Sequence, residues 1–215
     1  MTGPASTAGY AEEAADLFIR YESRDPAAVH TPWAEFIPAP PARILDIGAG
    51  TGRDAGWFAR LGHTVLAVEP VEELRTGAAK LHPEPEITWL EDALPDLTAT
   101  RARGETFDMI LMHAVWMHMT EAERATGMAH IANLLKPGGR LIVMFYHRDS
   151  LLYRIWMPVQ AARYGKSIQC LVNEVDGIGN PKGDVYSKGE LRRLLHTFND
   201  VKMFGGCLNI GPRYE

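Results

Sequence analysis

The stretch Arg43-Ile44-Leu45-Asp46-Ile47-Gly48-Ala49-Gly50-Thr51-Gly52 decides the fold. A strand-like run feeds directly into alternate glycines, the residues that let a backbone turn tightly and approach a ligand. A second strand-like run, Thr64-Val65-Leu66-Ala67-Val68, ends at Glu69, seventeen residues beyond Gly52. A glycine turn after one strand and an acid after the next is the wiring of a nucleotide site, with the acid placed to reach a ribose diol. A dinucleotide fingerprint would want its third glycine at position 53, and position 53 is Arg. A nicotinamide dehydrogenase is therefore the weakest reading.

Outward from this turn, strand and helix patterns alternate. A helix is expected at about 52–61, another at about 71–81 with Pro70 suited to its first turn, and a third strand at about 86–90. Phe107 to Met112 reads as strand four, 120–135 as a helix stopped by Pro137-Gly138-Gly139, and Arg140 to Tyr146 as strand five. Such alternation predicts a doubly wound α/β sheet. Before it, apolar residues at helical spacing from Ala11 to Arg24 predict an N-terminal helix, and Pro38, Pro40 and Pro41 mark the break before strand one.

After Tyr146 the rhythm changes. Asp149 to Tyr164 reads as an aromatic-rich helix interrupted at Pro158, and 173–186, with Gly177, Gly179, Pro181 and Gly183, as a loop. Ser187 with Glu190 at the capping-box position predicts a short helix over 188–196. Val201 to Phe204 and Cys207 to Ile210 are expected as closing strands.

Composition bounds the function. The chain has 215 residues, 46% hydrophobic and 23% charged, as expected of one globular domain with a sizeable core. A formal net charge of −5 gives no footprint for nucleic acid. No apolar run is long enough for a bilayer, and no secretory leader pattern opens the chain. Cys170 and Cys207 form neither a disulfide framework nor a metal spacing, so a reducing, cytoplasmic setting and no metal are the expectation.

The glycines at 48, 50 and 52, with the segments ILDIGAGTGRDAGWFARLGHTVLAVEP, LEDALPDL, FDMILMHAVWMHM and LLKPGGRLIVMF, resemble class I S-adenosylmethionine (SAM) dependent methyltransferases over residues 35–146. The resemblance implies a Rossmann-like, doubly wound, mostly parallel seven-stranded sheet with helices on both faces. It implies SAM as cofactor and S-adenosylhomocysteine as product. It also implies cofactor roles for Asp46 near the methionyl ammonium, for Gly48, Ala49, Gly50 and Gly52 in the turn, and for Glu69 and Pro70 at the ribose. Asp92 and Ala93 would meet the adenine, and Arg53 the methionyl carboxylate. One domain is expected, with a helical lid (1–34), a SAM-binding core (35–146), a variable acceptor segment (147–186) and a closing helix and strands (187–215).

Methyl transfer from a sulfonium needs chiefly alignment, and a base only where the acceptor must lose a proton. His113, just after strand four, is the first candidate, as base, acceptor-orienting group or cofactor contact, and His147 is the second. Tyr10, Tyr21, Trp116, Tyr146, Tyr153 and Trp156 are the expected walls of a small-molecule acceptor pocket. Each has a plain alternative: His113 as a strand-end hydrogen bonder, Glu69 as a helix-terminus acid, the aromatics as core. Two other functions share the cofactor site, a different SAM-dependent reaction such as cyclisation and a non-catalytic SAM-binding subunit. No oligomeric state is read from the sequence.

Overall fold

A computed structural model describes residues 9–148, 150, 152–173, 185–196, 198 and 200–203. Its centre is a parallel sheet of β1 (Arg43–Ile47), β2 (Thr64–Val68), β3 (Ile87–Leu90), β4 (Phe107–Met112) and β5 (Leu135–Val143), in the order β3-β2-β1-β4-β5. Strand order reverses between β1 and β4, which leaves a crevice at the carboxyl ends of these two strands.

Side chains along each strand alternate between two apolar layers, as the two-residue period requires. Leu45, Ile47, Leu66, Val68, Ile110 and Met112 share one layer. Ile44, Val65, Ala67, Met109 and Leu111 share the other. The helices are α1 (Ala14–Glu22), α2 (Pro26–His30), α3 (Arg53–Arg60), α4 (Glu72–Leu81), α5 (Thr98–Ala102), α6 (Glu121–Leu134), α7 (Met157–Tyr164), α8 (Ile168–Asn173) and α9 (Lys188–Leu194). Helix α6 covers the first layer through Met128, Ile131 and Leu134, and α3 covers the second through Ala55, Phe58 and Ala59. A sheet buried on both faces needs near-continuous apolar strands, and these strands supply them.

Helix α6 opens on a full capping box: Glu123 N–H donates to the Thr120 hydroxyl, and Thr120 N–H donates to the Glu123 carboxylate. Its end differs from the expectation at Pro137-Gly138-Gly139. Strand β5 begins at once, with Leu135 beside Phe107, and the register then jumps so that Arg140 pairs with Met109. Residues 136–139 are the slack of that bulge, and Gly138 takes a φ of 76° within it.

The expected seven-stranded sheet is corrected to five strands. Tyr146–His147 (β6) does not continue β5; it pairs in parallel with Val185–Tyr186 (β7) as a separate two-stranded sheet. Residues 201–203 are not in a strand. Phe204, the strand expected from Cys207 to Ile210 and the glycines of the 173–186 loop lie outside the described residues. In place of a helix over 149–164 interrupted at Pro158, a π-helical stretch, Leu152–Trp156, leads directly into α7, and Pro158 lies in the first turn of α7 without breaking it. The Ser187–Glu190 capping box forms as expected at the start of α9.

Candidate active site

The glycine turn is held from below. The N–H groups of Gly48 and Ala49 donate to the Val68 carbonyl at 2.8 and 3.0 Å, so the turn sits on the end of β2. Gly48, Gly50 and Gly52 all have positive φ (73°, 57° and 85°), which a side chain would strain. They differ in surroundings. A Cβ on Gly52 would come within 2.6 Å of Trp89 and 2.8 Å of His82, so this glycine serves close packing and does not line the cleft. A Cβ on Gly50 would meet only the Gly48 carbonyl, at 4.0 Å, and would stand in open cleft. The turn thus has one face packed shut and one left clear.

Glu69 lies 4% exposed beside it. Its Oε2 accepts from Gly50 N–H at 2.8 Å and its Oε1 from Val71 N–H at 2.9 Å. Burial pushes its carboxyl up to about 6 against the pull of those two bonds. Asp46, at the end of β1, is 2% exposed, and its Oδ2 bonds to none of the described residues. Burial, with the neighbouring Asp54 charge, pushes its carboxyl well above the usual range.

The Asp92 side chain is committed to the backbone. It accepts from Ala93 N–H at 2.9 Å, Thr100 N–H at 2.7 Å and the Thr100 hydroxyl at 2.7 Å, which fixes the start of α5. The Ala93 N–H that adenine recognition would use is occupied by Asp92 itself.

At the other side of the turn, Asp54 gathers three cationic or titratable partners. Arg53 donates to it through Nε at 2.8 Å and Nη2 at 3.1 Å. His30 Nε2 lies 2.9 Å from Oδ1, and His113 Nδ1 lies 3.1 Å from Oδ2. Burial opposes the Asp54 charge, but bonds from His113 and His30 and the Arg53 charge outweigh it and hold the carboxyl well below its ordinary value. His30, 1% exposed, sits between the rings of Trp33 and Trp57 at 4.4 and 5.2 Å. Sequence reading missed Asp54 and His30. Asp54 follows Arg53 in the first turn of a helix, where an acid needs no further explanation, and His30 belongs to a short helix with no marked periodicity.

A cleft of about 2380 Å³ joins these groups, above the usual 300–1,000 Å³ of a single-ligand pocket. Asp46, Gly48, Ala49, Gly50, Arg53, Glu69, Pro70, Asp92, Ala93 and His113 line it, as do Tyr10, Tyr21, Tyr146, His147 and Tyr153. Two expected walls do not. Trp116 is fully buried in the core, edge-on to Phe145, because its one-turn 3-10 helix points the ring under the sheet edge. Trp156 packs against the Met157, Leu171 and Val172 cluster instead. The N-terminal segment reaches over the cleft: the Tyr10 hydroxyl meets His118 Nε2 at 3.3 Å, and the Thr51 hydroxyl donates to Glu22 at 2.6 Å.

A glycine turn at the switch point of a parallel sheet, with acids ending β1 and β2, is the geometry of a nucleotide-binding α/β domain. Residues 45–143, a little under half of the chain, match the family model described as "Methyltransferase domain". An uncharacterized methyltransferase of Mycobacterium tuberculosis is 31% identical over 123 residues, 54% of this chain and 44% of that protein. The chain thus spans less than half the length of this curated relative. A TehB-like SAM-dependent methyltransferase from Corynebacterium glutamicum superposes with a TM-score of 0.52 at 26% identity, covering 62% of this chain and 71% of its own. The 1,6-didemethyltoxoflavin-N1-methyltransferase of Burkholderia thailandensis, solved with 1,6-didemethyltoxoflavin and S-adenosylhomocysteine, superposes with a TM-score of 0.56 at 23% identity, covering 87% and 72%. Among the described residues no helix is long and apolar enough to cross a membrane.

Proposed function

We propose that this protein transfers a methyl group from SAM to a small-molecule acceptor. The observation that carries the reading is the pairing of an open glycine, Gly50, with a buried unpartnered carboxylate oxygen, Asp46 Oδ2, in one cleft. A Cβ at 50 would fill the space that the methionyl part needs. A buried carboxyl pushed toward its neutral form is poised to regain its charge when an ammonium arrives beside it. Glu69 uses one oxygen on the turn at Gly50 and the other on Val71 at the start of α4, and a carboxylate has about four acceptor sites. One site per oxygen is left for the two hydroxyls of a ribose.

SAM, when bound, supplies a methyl group on a positively charged sulfur that leaves as a neutral thioether. The protein's task is alignment and the exclusion of water. His113 is the candidate base, and His147 with Tyr146 and Tyr153 forms the acceptor side of the cleft. Arg53 has a different office from the one expected: its guanidinium is bound to Asp54, so contact with a methionyl carboxylate would use its remaining donors. Asp92 would turn to adenine only by loosening α5. Residues before β1 form a lid fastened through Tyr10 and Glu22.

Two measurements test this. In a thermal-shift assay SAM and S-adenosylhomocysteine should stabilise the fold and NAD should not, with about 2.7 kcal/mol gained at a hundred times the dissociation constant. A screen of acceptors reading S-adenosylhomocysteine release identifies the partner. Stabilisation by NAD alone would overturn the proposal.

A further inference from the structure

We propose that Asp54 and His113 form a base dyad: Asp54 holds the imidazole proton on Nδ1, and Nε2 takes the proton of a phenolic or enolic acceptor. The inference rests on the methyl-transfer reading and adds the acceptor class.

The proton placement follows from the Asp54 contacts. Oδ1 has Arg53 Nε at 2.8 Å and His30 Nε2 at 2.9 Å; Oδ2 has Arg53 Nη2 at 3.1 Å and His113 Nδ1 at 3.1 Å. Arg53 and His113 supply hydrogen bonds and His30 a close polar contact, so every one of these neighbours favours the ionised carboxylate. The same contacts keep Asp54 ionised, and an ionised carboxylate only accepts. His113 Nδ1 must therefore carry the hydrogen. Arg53 Nη2, 3.3 Å from that nitrogen, is a donor only and would bond to an Nδ1 without hydrogen, but the ionised Asp54 oxygen is nearer at 3.1 Å and takes the proton's direction. A neutral ring protonated at Nδ1 has its lone pair on Nε2, and Nε2 makes no hydrogen bond to the described residues. The side chain is 26% exposed and lines the cleft. A buried acid behind a histidine fixes both its tautomer and its orientation.

His30, Asp54 and His113 also place ligand atoms within 4.8 Å of one another, as a metal site would. The observations favour the dyad, because the Arg53 guanidinium occupies the carboxylate and a divalent ion would have to displace it.

The acceptor class follows from what such a base can do. Thioethers have no proton to lose, thiols, near 8.5, ionise substantially without a base, and amines attack through a lone pair and lose the proton afterwards. Aliphatic alcohols are too weakly acidic for an imidazole to help much, whereas a phenol, near 10, is within its range. Val115, Met119, Phe145 and Tyr153 give the cleft apolar and aromatic walls that suit a flat ring. In the step, the acceptor oxygen bonds to the methyl carbon and the carbon–sulfur electron pair leaves with the sulfur, cancelling its charge. The hydroxyl proton passes to Nε2, and the imidazolium is balanced by Asp54 until the proton departs to water.

Proton–nitrogen correlation NMR of the full chain at pH 8 tests the dyad, with the His113 signals assigned by their loss in His113→Gln. The expected result is hydrogen on Nδ1 in the wild type and a move to Nε2 in Asp54→Asn, whose amide donates to Nδ1. Hydrogen on Nε2 in the wild type overturns the dyad, as does an unchanged tautomer in folded Asp54→Asn. Should Asp54→Asn fail to fold by circular dichroism, the wild-type tautomer alone decides. Zinc uptake by the wild type that His113→Gln abolishes overturns the dyad in favour of a metal site. Calorimetry with S-adenosylhomocysteine separates the two readings: no binding beside an Nδ1 proton sinks methyl transfer and leaves the proton placement standing. In a panel of phenols and aliphatic thiols, turnover on phenols alone, falling about 10²- to 10⁴-fold in Asp54→Asn, is expected. Turnover on thiols alone overturns the acceptor class.

Discussion

The two sides of the cleft are built to different standards. On the turn side, β1, β2 and β4 are paired through their length, two apolar layers lie behind them, and Glu69, Asp54, Thr51 and Asp92 each hold fixed partners. On the cap side, two two-residue strands and short helices surround a small cluster of Met157, Leu171 and Val172, while Ile155 and Val159 stay 59% and 58% exposed. Under the proposed methyl transfer, the difference is a division of labour between a cofactor side and an acceptor side. A cofactor common to a whole reaction class needs a rigid, preorganised seat, whereas an acceptor must enter and leave, and local order on its side is correspondingly thin.

The sharpest break of this contrast compares two glycines with similar backbone angles. Gly52 and Gly165 have φ of 85° and 62°, but a Cβ at 52 meets Trp89 and His82, while one at 165 meets nothing within 4 Å. We predict that Gly52→Ala costs about 2–4 kcal/mol in urea denaturation and Gly165→Ala about 1 kcal/mol. Equal costs would mean the turn is no better packed than the end of α7.

Next is Glu69→Ala. Losing its carboxylate strands the Gly50 and Val71 N–H groups, so stability should fall by about 1–3 kcal/mol. S-adenosylhomocysteine affinity should fall at least about tenfold, and calorimetry giving unchanged affinity would leave Glu69 a purely structural acid.

The same residue has a pH signature of intermediate size. Its folded carboxyl lies at about 6, above the ordinary 4.5, so between those values the folded state binds more protons than the unfolded state. Stability contributed by this group is therefore present at low pH and lost as pH rises through the window, by about 2 kcal/mol. Glu69→Gln should remove that part of the slope in denaturation curves taken from pH 4 to 7. Cofactor affinity should run the other way, weakening as pH falls below about 6, because the ionised carboxylate is the better acceptor.

The smallest expected effect on the cofactor is at Tyr153. Tyr153→Ala should leave S-adenosylhomocysteine affinity within a few fold while changing turnover or acceptor preference, and residues 152–173 should exchange amide hydrogens faster than β1 and β4. Slow exchange together with unchanged kinetics would make the cap a structural element.

The turn side was legible in the sequence because its signals are local. The Gly48-Gly50-Gly52 spacing announces a tight turn and the Thr64–Val68 run a strand ending at Glu69, each within a few residues, and the strand positions follow from apolar runs. Where the sequence misled, the deciding contact was distant. Tyr146 reads as the end of a long strand until its pairing with Val185 is known. Trp116 and Trp156 have the residue type of a pocket wall, and only the turn of a 3-10 helix and a neighbouring cluster send them elsewhere. Asp54 looked like an ordinary first-turn acid, because His30 and His113 reach it from either side in sequence.

Residues before β1 fasten to the cleft at two widely separated points, Tyr10 to His118 and Glu22 to Thr51, and Ala14 and Leu17 pack on Val71 and Leu74 of the α4 region between them. The Tyr10–His118 contact spans 108 residues of chain. Two of these fastenings use residues before β4, and only the Tyr10–His118 contact needs the chain beyond it. The cover is thus held by contacts far apart in sequence, so cutting the chain before β1 should weaken ligand retention at temperatures where the sheet still stands.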